Sequence, residues 1–388
     1  MSPVPSALQS RVATRLDSLE ARQLRRVLRP PSGIDLSSND YLGLAQHPSV
    51  KRRMIESIGQ DGCGSTGSRL LRGHREIFER VERLFAALKG TERSLYLSSG
   101  YLANIAVLTT FAEPGDLILS DRLNHASLRD GVRLATCHHA VFPHNDTAAL
   151  RELVRSARHG RGQVFVVTES VFSMDGDAAP LAEYAAICRE TGAALIVDEA
   201  HAVGIYGERG SGLIEEAGIS HDVFLSINPA GKALGVAGAF VAGSDWAIEY
   251  LVQRARAFVF TTAPPPCVAA ALEASLTVIE QEPERRRSLR ELAKSIRRSL
   301  KAAGLSIADS DCQIVPIIFG DVATTVTVAE LLQGEGFDVR AIRPPSVPVG
   351  TARLRVSVNI GVARAELDRF ASLLCRIDQV GLCRVAYS

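Results

Sequence analysis

Ala193-Ala194-Leu195-Ile196-Val197-Asp198-Glu199-Ala200-His201 is an apolar run closed by an acid, with an imidazole three residues beyond it. A short apolar run of this kind, bounded by polar residues, predicts a strand buried on both faces, as in a parallel sheet covered by helices. Asp198 then falls at the carboxyl end of its strand, the edge at which open α/β sheets bind their ligands. Outward from this stretch the pattern repeats. Short β-branched runs at Ser94–Ser98, Leu117–Ser120, Val164–Thr168, Val223–Ile227 and Ala239–Ala242 alternate with helical stretches from about residue 50 to 245. The alternation predicts an α/β fold with a mainly parallel sheet and helices on both faces. Ile77, Phe78, Val81, Leu84, Phe85 and Leu88 recur at helical spacing and predict a helix over 74–89 that stops at Gly90.

The ends of the chain read differently. Residues 8–28 carry Arg, Leu and Glu without Gly or Pro and predict an amphipathic arm that ends before Pro30-Pro31. After Thr261-Thr262-Ala263-Pro264-Pro265-Pro266, residues 267–303 read as long helix with Leu289, Leu292, Ile296 and Leu300 on one stripe. Strands at 313–319 and 353–358 and a closing helix at 364–378 complete a smaller part. The expected division is an N-terminal arm over 1–49, a large ligand-binding domain over 50–280, and a small C-terminal α/β domain over 281–388.

The 388 residues, 46% of them hydrophobic, suffice for one large core and one smaller core. A net charge of +1 gives no global field for nucleic acid or an anionic membrane, so neither is an expected partner. The start, Met1-Ser2-Pro3-Val4-Pro5, lacks a basic region followed by an apolar core, and no run approaches the ~18 apolar residues of a membrane span. Cysteines 63, 137, 188, 267, 312, 375 and 383 are widely spaced with no Cys-x-x-Cys pair, so neither disulfide framework nor zinc spacing is read, and no metal is expected. The expected setting is the cytoplasm.

Lys232 is the only lysine between Lys89 and Lys294, and it sits in the glycine-rich segment Gly231-Lys232-Ala233-Leu234-Gly235-Val236-Ala237-Gly238. Arginine serves wherever only charge is needed, but a guanidinium cannot condense with an aldehyde. A lysine kept in an arginine-rich chain therefore points to imine chemistry. Paired with Asp198 and His201 it indicates a pyridoxal phosphate (PLP) site, in which a buried acid meets the pyridine nitrogen. Ser98-Ser99-Gly100-Tyr101-Leu102-Ala103-Asn104 leads from strand to helix and offers N–H groups to a phosphate. Asn124-His125-Ala126-Ser127 sets an imidazole after another strand. A helicase-type reading of Asp198-Glu199-Ala200-His201 requires an upstream Gly-x-x-x-x-Gly-Lys-[Ser/Thr] loop, which the chain lacks.

Over nearly its whole length the chain resembles the α-oxoamine synthases, which are fold-type I PLP enzymes that condense an amino acid with an acyl thioester and release CO2. The resemblance rests on Ser37-Ser38-Asn39-Asp40-Tyr41-Leu42-Gly43-Leu44, Gly64-Ser65-Thr66-Gly67-Ser68-Arg69, Glu169-Ser170-Val171-Phe172-Ser173-Met174-Asp175-Gly176-Asp177, Thr261-Thr262 with its prolines, and Arg353-Leu354-Arg355. It implies a seven-stranded, mainly parallel sheet in the large domain and a homodimer with shared active sites. Ala341-Ile342-Arg343-Pro344-Pro345-Ser346-Val347-Pro348, followed by Gly350-Thr351-Ala352-Arg353, resembles the branch that condenses L-alanine with a pimeloyl thioester, on coenzyme A or a carrier protein, for biotin.

The resemblance also implies roles. Lys232 holds the cofactor and moves protons at the substrate α-carbon. Asp198 pairs with the pyridine nitrogen, His201 and Ser173 address O3′, and His125 stacks over the ring. The backbone of Gly100 and Tyr101 holds the phosphate, with Thr261 or Thr262 reaching in from the second subunit. Arg355 clamps the amino-acid carboxylate; Asn39 and Arg25 line the substrate site. One position departs from the family, which usually has threonine three residues before the lysine where this chain has Pro229, so Ser226 or Asn228 is the expected substitute. Two alternatives stay open. The same residues serve a sister condensation such as glycine with acetyl-CoA, and a PLP-fold scaffold or sensor is the reading of another class.

Overall fold

The computed structural model describes residues 6–157, 162–305, 307 and 310–377. Met1–Pro5, Cys383 and the last residue of the helix expected over 364–378 lie outside them. The chain folds as two units, one of Asn39–Glu291 and one made of the segments before Asn39 and after Glu291. In strand order, β1 (Ile34–Asp35) belongs to the second unit. The first unit holds β2 (Arg93–Leu97), β3 (Leu117–Asp121), β4 (His138–Phe142), β5 (Val164–Glu169), β6 (Ala194–Asp198), β7 (Val223–Pro229) and β8 (Ala239–Gly243).

These seven strands form one sheet in the order β2-β8-β7-β6-β5-β3-β4. β8 alone runs against the other six, so its pairings with β2 and β7 are antiparallel. The apolar runs are continuous because both faces are covered. Ile196 packs with Ala103, Val107 and Leu128 on one face, while Leu195 and Val197 join Tyr184, Ile187 and Cys188 on the other. Six strands of this sheet are each marked by an apolar run in the sequence. β4 was not among them because it is an edge strand with exposed His138, His139 and Val141, so no buried apolar run marks it.

The helix Glu76–Lys89 ends as expected on Gly90, whose φ of 67° is the left-handed conformation that favours glycine. Leu84, counted on its inward stripe, lies at the stripe's edge and is exposed. The single helix expected over 267–303 is two, Pro266–Gln281 and Glu284–Ala302. Pro283 interrupts them, since proline lacks the N–H a continuous helix needs and disfavours helical backbone at the residue before it. The N-terminal helix spans Ser6–Ala21 and ends earlier than expected; it buries none of its residues, and Leu8, Val12, Leu16 and Leu19 form an exposed stripe.

In the second unit, β9 (Ile314–Gly320), β11 (Ala341–Ile342) and β12 (Ala352–Ser357) form an antiparallel sheet with β12 central. The segment before Asn39 is tied to this unit by β1, which pairs in parallel with β10 (Phe337–Asp338). The helix Arg364–Ile377 buries Leu367, Phe370, Leu374 and Ile377. Cys63, Cys137, Cys188 and Cys267 are free thiols. No helix of the described residues is long and apolar enough to cross a membrane.

Candidate active site

Asp198 ends β6 and is 3% exposed. Its Oδ1 accepts the Ala200 N–H at 2.9 Å and its Oδ2 accepts Asn104 Nδ2 at 2.8 Å. The adjacent Glu199 takes no part in this. Its carboxylate forms a fully buried ion pair with Lys89 and accepts the Ile214 N–H.

Asn104 comes from the helix Gly100–Phe111, which packs across the sheet, and its amide also donates to Ser127 Oγ at 2.8 Å. With that lone pair engaged, the Ser127 hydroxyl donates to His125 Nδ1, 2.7 Å away. The Ser127 N–H points at the same nitrogen, since His125 is the N-cap of the helix Ala126–Leu134. Nδ1 is thus an acceptor, and a neutral His125 carries its proton on Nε2. Burial lowers the His125 pKa, and Lys232 adds to the lowering while Asp198 opposes it. The carboxylate settles the orientation of the Asn104 amide, because a flipped amide would set oxygen against oxygen.

Glu169 ends β5 in register beside Asp198 and is 2% exposed. Its Oε1 accepts the His125 N–H at 2.5 Å. Burial pushes its pKa up to about 8, and Asp198 pushes the same way, while Lys232 and the His125 N–H work against them. Lys232 is therefore close enough to be felt by both His125 and Glu169. It stands on the loop between β7 and β8, which is closed by Ala230 N–H to Gly238 O and by Gly235 N–H to Lys232 O, each 2.8 Å. A Cβ on Gly235 would come within 2.4 Å of the Ala45 nitrogen, so this glycine lets the loop lie against the chain at Leu44–Ala45.

His201 is buried, with Nδ1 2.8 Å from the Tyr41 hydroxyl. That hydroxyl also donates to Asn39 Oδ1 at 2.8 Å. Ser173 lies in a tight turn whose approach, at Ser170, donates its N–H to the Asp198 carbonyl at 2.9 Å.

Ser99 caps the helix Gly100–Phe111 by accepting the Leu102 N–H, and the N–H groups of Gly100 and Tyr101 have no acceptor among the described residues. Tyr101 sends its hydroxyl to Asp130 instead of toward the helix end. Pro229 packs directly on Gly100, where a Cβ would meet the proline ring at 2.5 Å. Leu225 and Ile227 face the same helix, so by strand alternation Pro229 shares their side while Ser226 and Asn228 face the opposite one. Neither of the expected substitutes for the usual threonine is turned toward Gly100. Asn228 donates to Ser226 Oγ within that other face.

Thr261 lines a small cavity together with Ser98 of its own chain, and Thr262 is exposed. Their distance in sequence from the Ser98–Tyr101 segment is therefore not distance in the fold. Arg25 and Arg355 belong to the other unit. Arg355 is buried on β12, donating to Ser357 Oγ at 2.6 Å, whereas Arg25 is half-exposed beside Glu20.

Asn104, Ser127, Glu169 and Tyr41 carried no assigned role in the sequence reading, though each stood inside a quoted motif. A signal existed for Glu169, which closes β5 as Asp198 closes β6. Asn104 and Ser127 gave none, because their place depends on two helices meeting.

The family model described as aminotransferase class I and II matches residues 31–374. The 8-amino-7-oxononanoate synthase of Geobacter sulfurreducens is 41% identical over 384 residues, covering 95% of this chain and 98% of that protein. Among solved structures, serine palmitoyltransferase from S. paucimobilis with a bound PLP-myriocin adduct has a TM-score of 0.89 at 26% identity, covering 98% of this chain and 100% of that one. The 8-amino-7-oxononanoate synthase from Francisella tularensis has a TM-score of 0.79 at 26% identity, covering 90% and 99%.

Proposed function

The chain belongs to the class I and II aminotransferase family, among its 8-amino-7-oxononanoate synthases, and from that premise we propose that it condenses L-alanine with a pimeloyl thioester, using PLP. The products are 8-amino-7-oxononanoate, CO2 and the free thiol. The thioester is carried on coenzyme A or a carrier protein. The observation that carries this reading is the grouping of Asp198, His125, Glu169 and Lys232 at the carboxyl edge of the sheet.

The residues present fit the cofactor. A buried carboxylate held from behind by two N–H donors suits a pyridinium, and the buried Asn104 Oδ1 accepts no hydrogen bond among the described residues. The N–H groups of Gly100 and Tyr101 at a helix N-terminus suit a phosphate. When bound, PLP supplies an aldehyde for amine capture and a protonated ring that accepts the electron pair left at the amino acid's α-carbon.

Lys232 takes the proton from that α-carbon and returns it. Asp198 favours a proton on the ring nitrogen, and the Asn104 and Ala200 N–H groups fix the position of its carboxylate. His125 covers the ring as a neutral imidazole, oriented by Ser127 and Glu169. His201 offers its imidazole, and Ser173 its hydroxyl, to the ring oxygen. Arg355 is the candidate clamp for the substrate carboxylate through a planar pair of donors, and Asn39 and Arg25 are the further substrate-site residues.

Two copies pair and share their sites, with Thr261 and Thr262 serving the partner's phosphate end. This is supported by the exposed apolar residues Leu71 and Phe260 on two segments joined by the Ala263 N–H to Gly67 O bond. The function is tested by supplying purified holoprotein with alanine or glycine and with pimeloyl or acetyl thioesters, following thiol release and product mass. Turnover confined to alanine with the pimeloyl donor is expected; preference for glycine with the acetyl donor overturns it in favour of the sister condensation.

A further inference from the structure

His144, two residues beyond β4, has both ring nitrogens on carboxylates. Nδ1 is 3.0 Å from Asp121 Oδ1 and Nε2 is 2.7 Å from Asp177 Oδ2. An ionised carboxylate only accepts, so both nitrogens donate and the ring is an imidazolium. Burial works against that charge, but the two aspartates outweigh it and His144 is pushed up to about 9. Asn145, at a φ of 55°, reinforces the cluster: its N–H goes to Asp121 Oδ2 and its amide to Asp177 Oδ2, each at 3.0 Å. Other ionisable groups around these aspartates include Glu169 at the end of β5, Asp146, next along the chain, and Glu183 and Tyr184 on the helix Leu181–Thr191.

Asp177 closes the turn that carries Ser173. The Phe172 N–H donates to the Asp177 carbonyl and the Gly176 N–H to the Phe172 carbonyl, both at 2.9 Å. The His144 ring also stands edge-on to Phe172, 4.4 Å between centroids at 90°. At its base the same loop is fastened to β6 through the Ser170 N–H and the Asp198 carbonyl, and closed by the bridge between Val171 and Ala178. The loop is thus held at one end by the strand that bears Asp198 and at the other by β3, through His144 and Asn145.

We propose that His144 is a positioning residue, an imidazolium clamp between Asp121 and Asp177 that fixes the turn Phe172–Asp177 so that Ser173 meets the cofactor's ring oxygen. The proposal rests on the reading of Ser173 as a cofactor contact. Neither ring nitrogen reaches the reacting atoms; the residue acts only through the turn.

The test compares holoenzyme of the wild type, His144→Gln and Ser173→Ala by the pH midpoint of the visible cofactor band and by kcat and KM for L-alanine. Glutamine keeps a donor and loses the charge. His144→Gln is expected to bind cofactor, to shift the midpoint in the same direction as Ser173→Ala, and to lose roughly tenfold in kcat with little change in KM. Asp177→Asn, which weakens the clamp without touching the histidine, is the second variant if His144→Gln does not fold, and is expected to shift the band the same way. If Ser173→Ala moves band and rate while the clamp variants lower only the melting temperature, His144 is merely structural and the proposal is overturned. If Ser173→Ala changes neither, the reading of Ser173 fails and the clamp loses its object with it.

Discussion

Asn104 Nδ2 lies 2.8 Å from Asp198 Oδ2, and the same amide reaches Ser127, so one side chain links the acid that ends β6 to the imidazole that caps the helix Ala126–Leu134. Both oxygens of Asp198 are acceptors of fixed N–H groups. Asn104→Ala is expected to lower kcat by ~10–100-fold, the equivalent of about 1–3 kcal/mol for a buried charge-assisted hydrogen bond. Asp198→Asn is expected to cost more, because its amide must turn an N–H toward one of those donors as well as lose the charge. Steady-state kinetics on cofactor-saturated protein checks both, and near-normal rates in either variant show that Asp198 does not pair with the ring.

Lys232→Ala and Lys232→Arg are expected to abolish turnover equally while circular dichroism and melting temperature stay close to wild type. The side chain sits in a loop closed by backbone bonds of Ala230, Gly235 and Gly238, so its loss opens no core. Condensation by either variant, free of contaminating wild type, refutes the assignment.

Glu169 gives a pH signature in cofactor-free protein. Its folded pKa of about 8 lies above the ordinary 4.5, so between those values the folded chain keeps a proton the unfolded chain has released. Stability contributed at this position therefore falls as pH rises from about 4.5 through about 8. Glu169→Gln keeps the acceptor for the His125 N–H and removes the titration. Denaturant melts at about pH 5 and about pH 8 are expected to show a smaller loss across that range in the variant; parallel losses in the two proteins would falsify the raised carboxyl.

The shared site is tested by mixing subunits. Lys232→Ala protein co-assembled with the Thr261→Ala/Thr262→Ala double variant is expected to regain activity above both parents, because half of the sites in a heterodimer are then intact. Since Thr261 also lines a cavity with Ser98 of its own chain, the opposite result has a clear meaning. A damaging double variant without complementation in verified heterodimers places lysine and threonines in one subunit's site.

What the sequence determined by itself is the material whose logic is local or repeated. The apolar run ending at Asp198 announced a doubly covered strand and its functional edge, because hydrophobic periodicity acts over a few residues. Lys232 stood out because its amine does what no arginine can. The tertiary structure decided whatever depends on residues far apart coming together. Glu169 and Asp198 are neighbours only because β5 and β6 pair in register. Asn104 joins Asp198 to Ser127 only because the helices Gly100–Phe111 and Ala126–Leu134 meet over the sheet. Strand alternation, set by the register of β7, turned Pro229 toward Gly100 and both candidate substitutes away from it. The edge strand β4 and the break at Pro283 escaped the reading for a related reason: an edge strand needs no buried run, and a helical pattern continues through a proline that the backbone cannot follow.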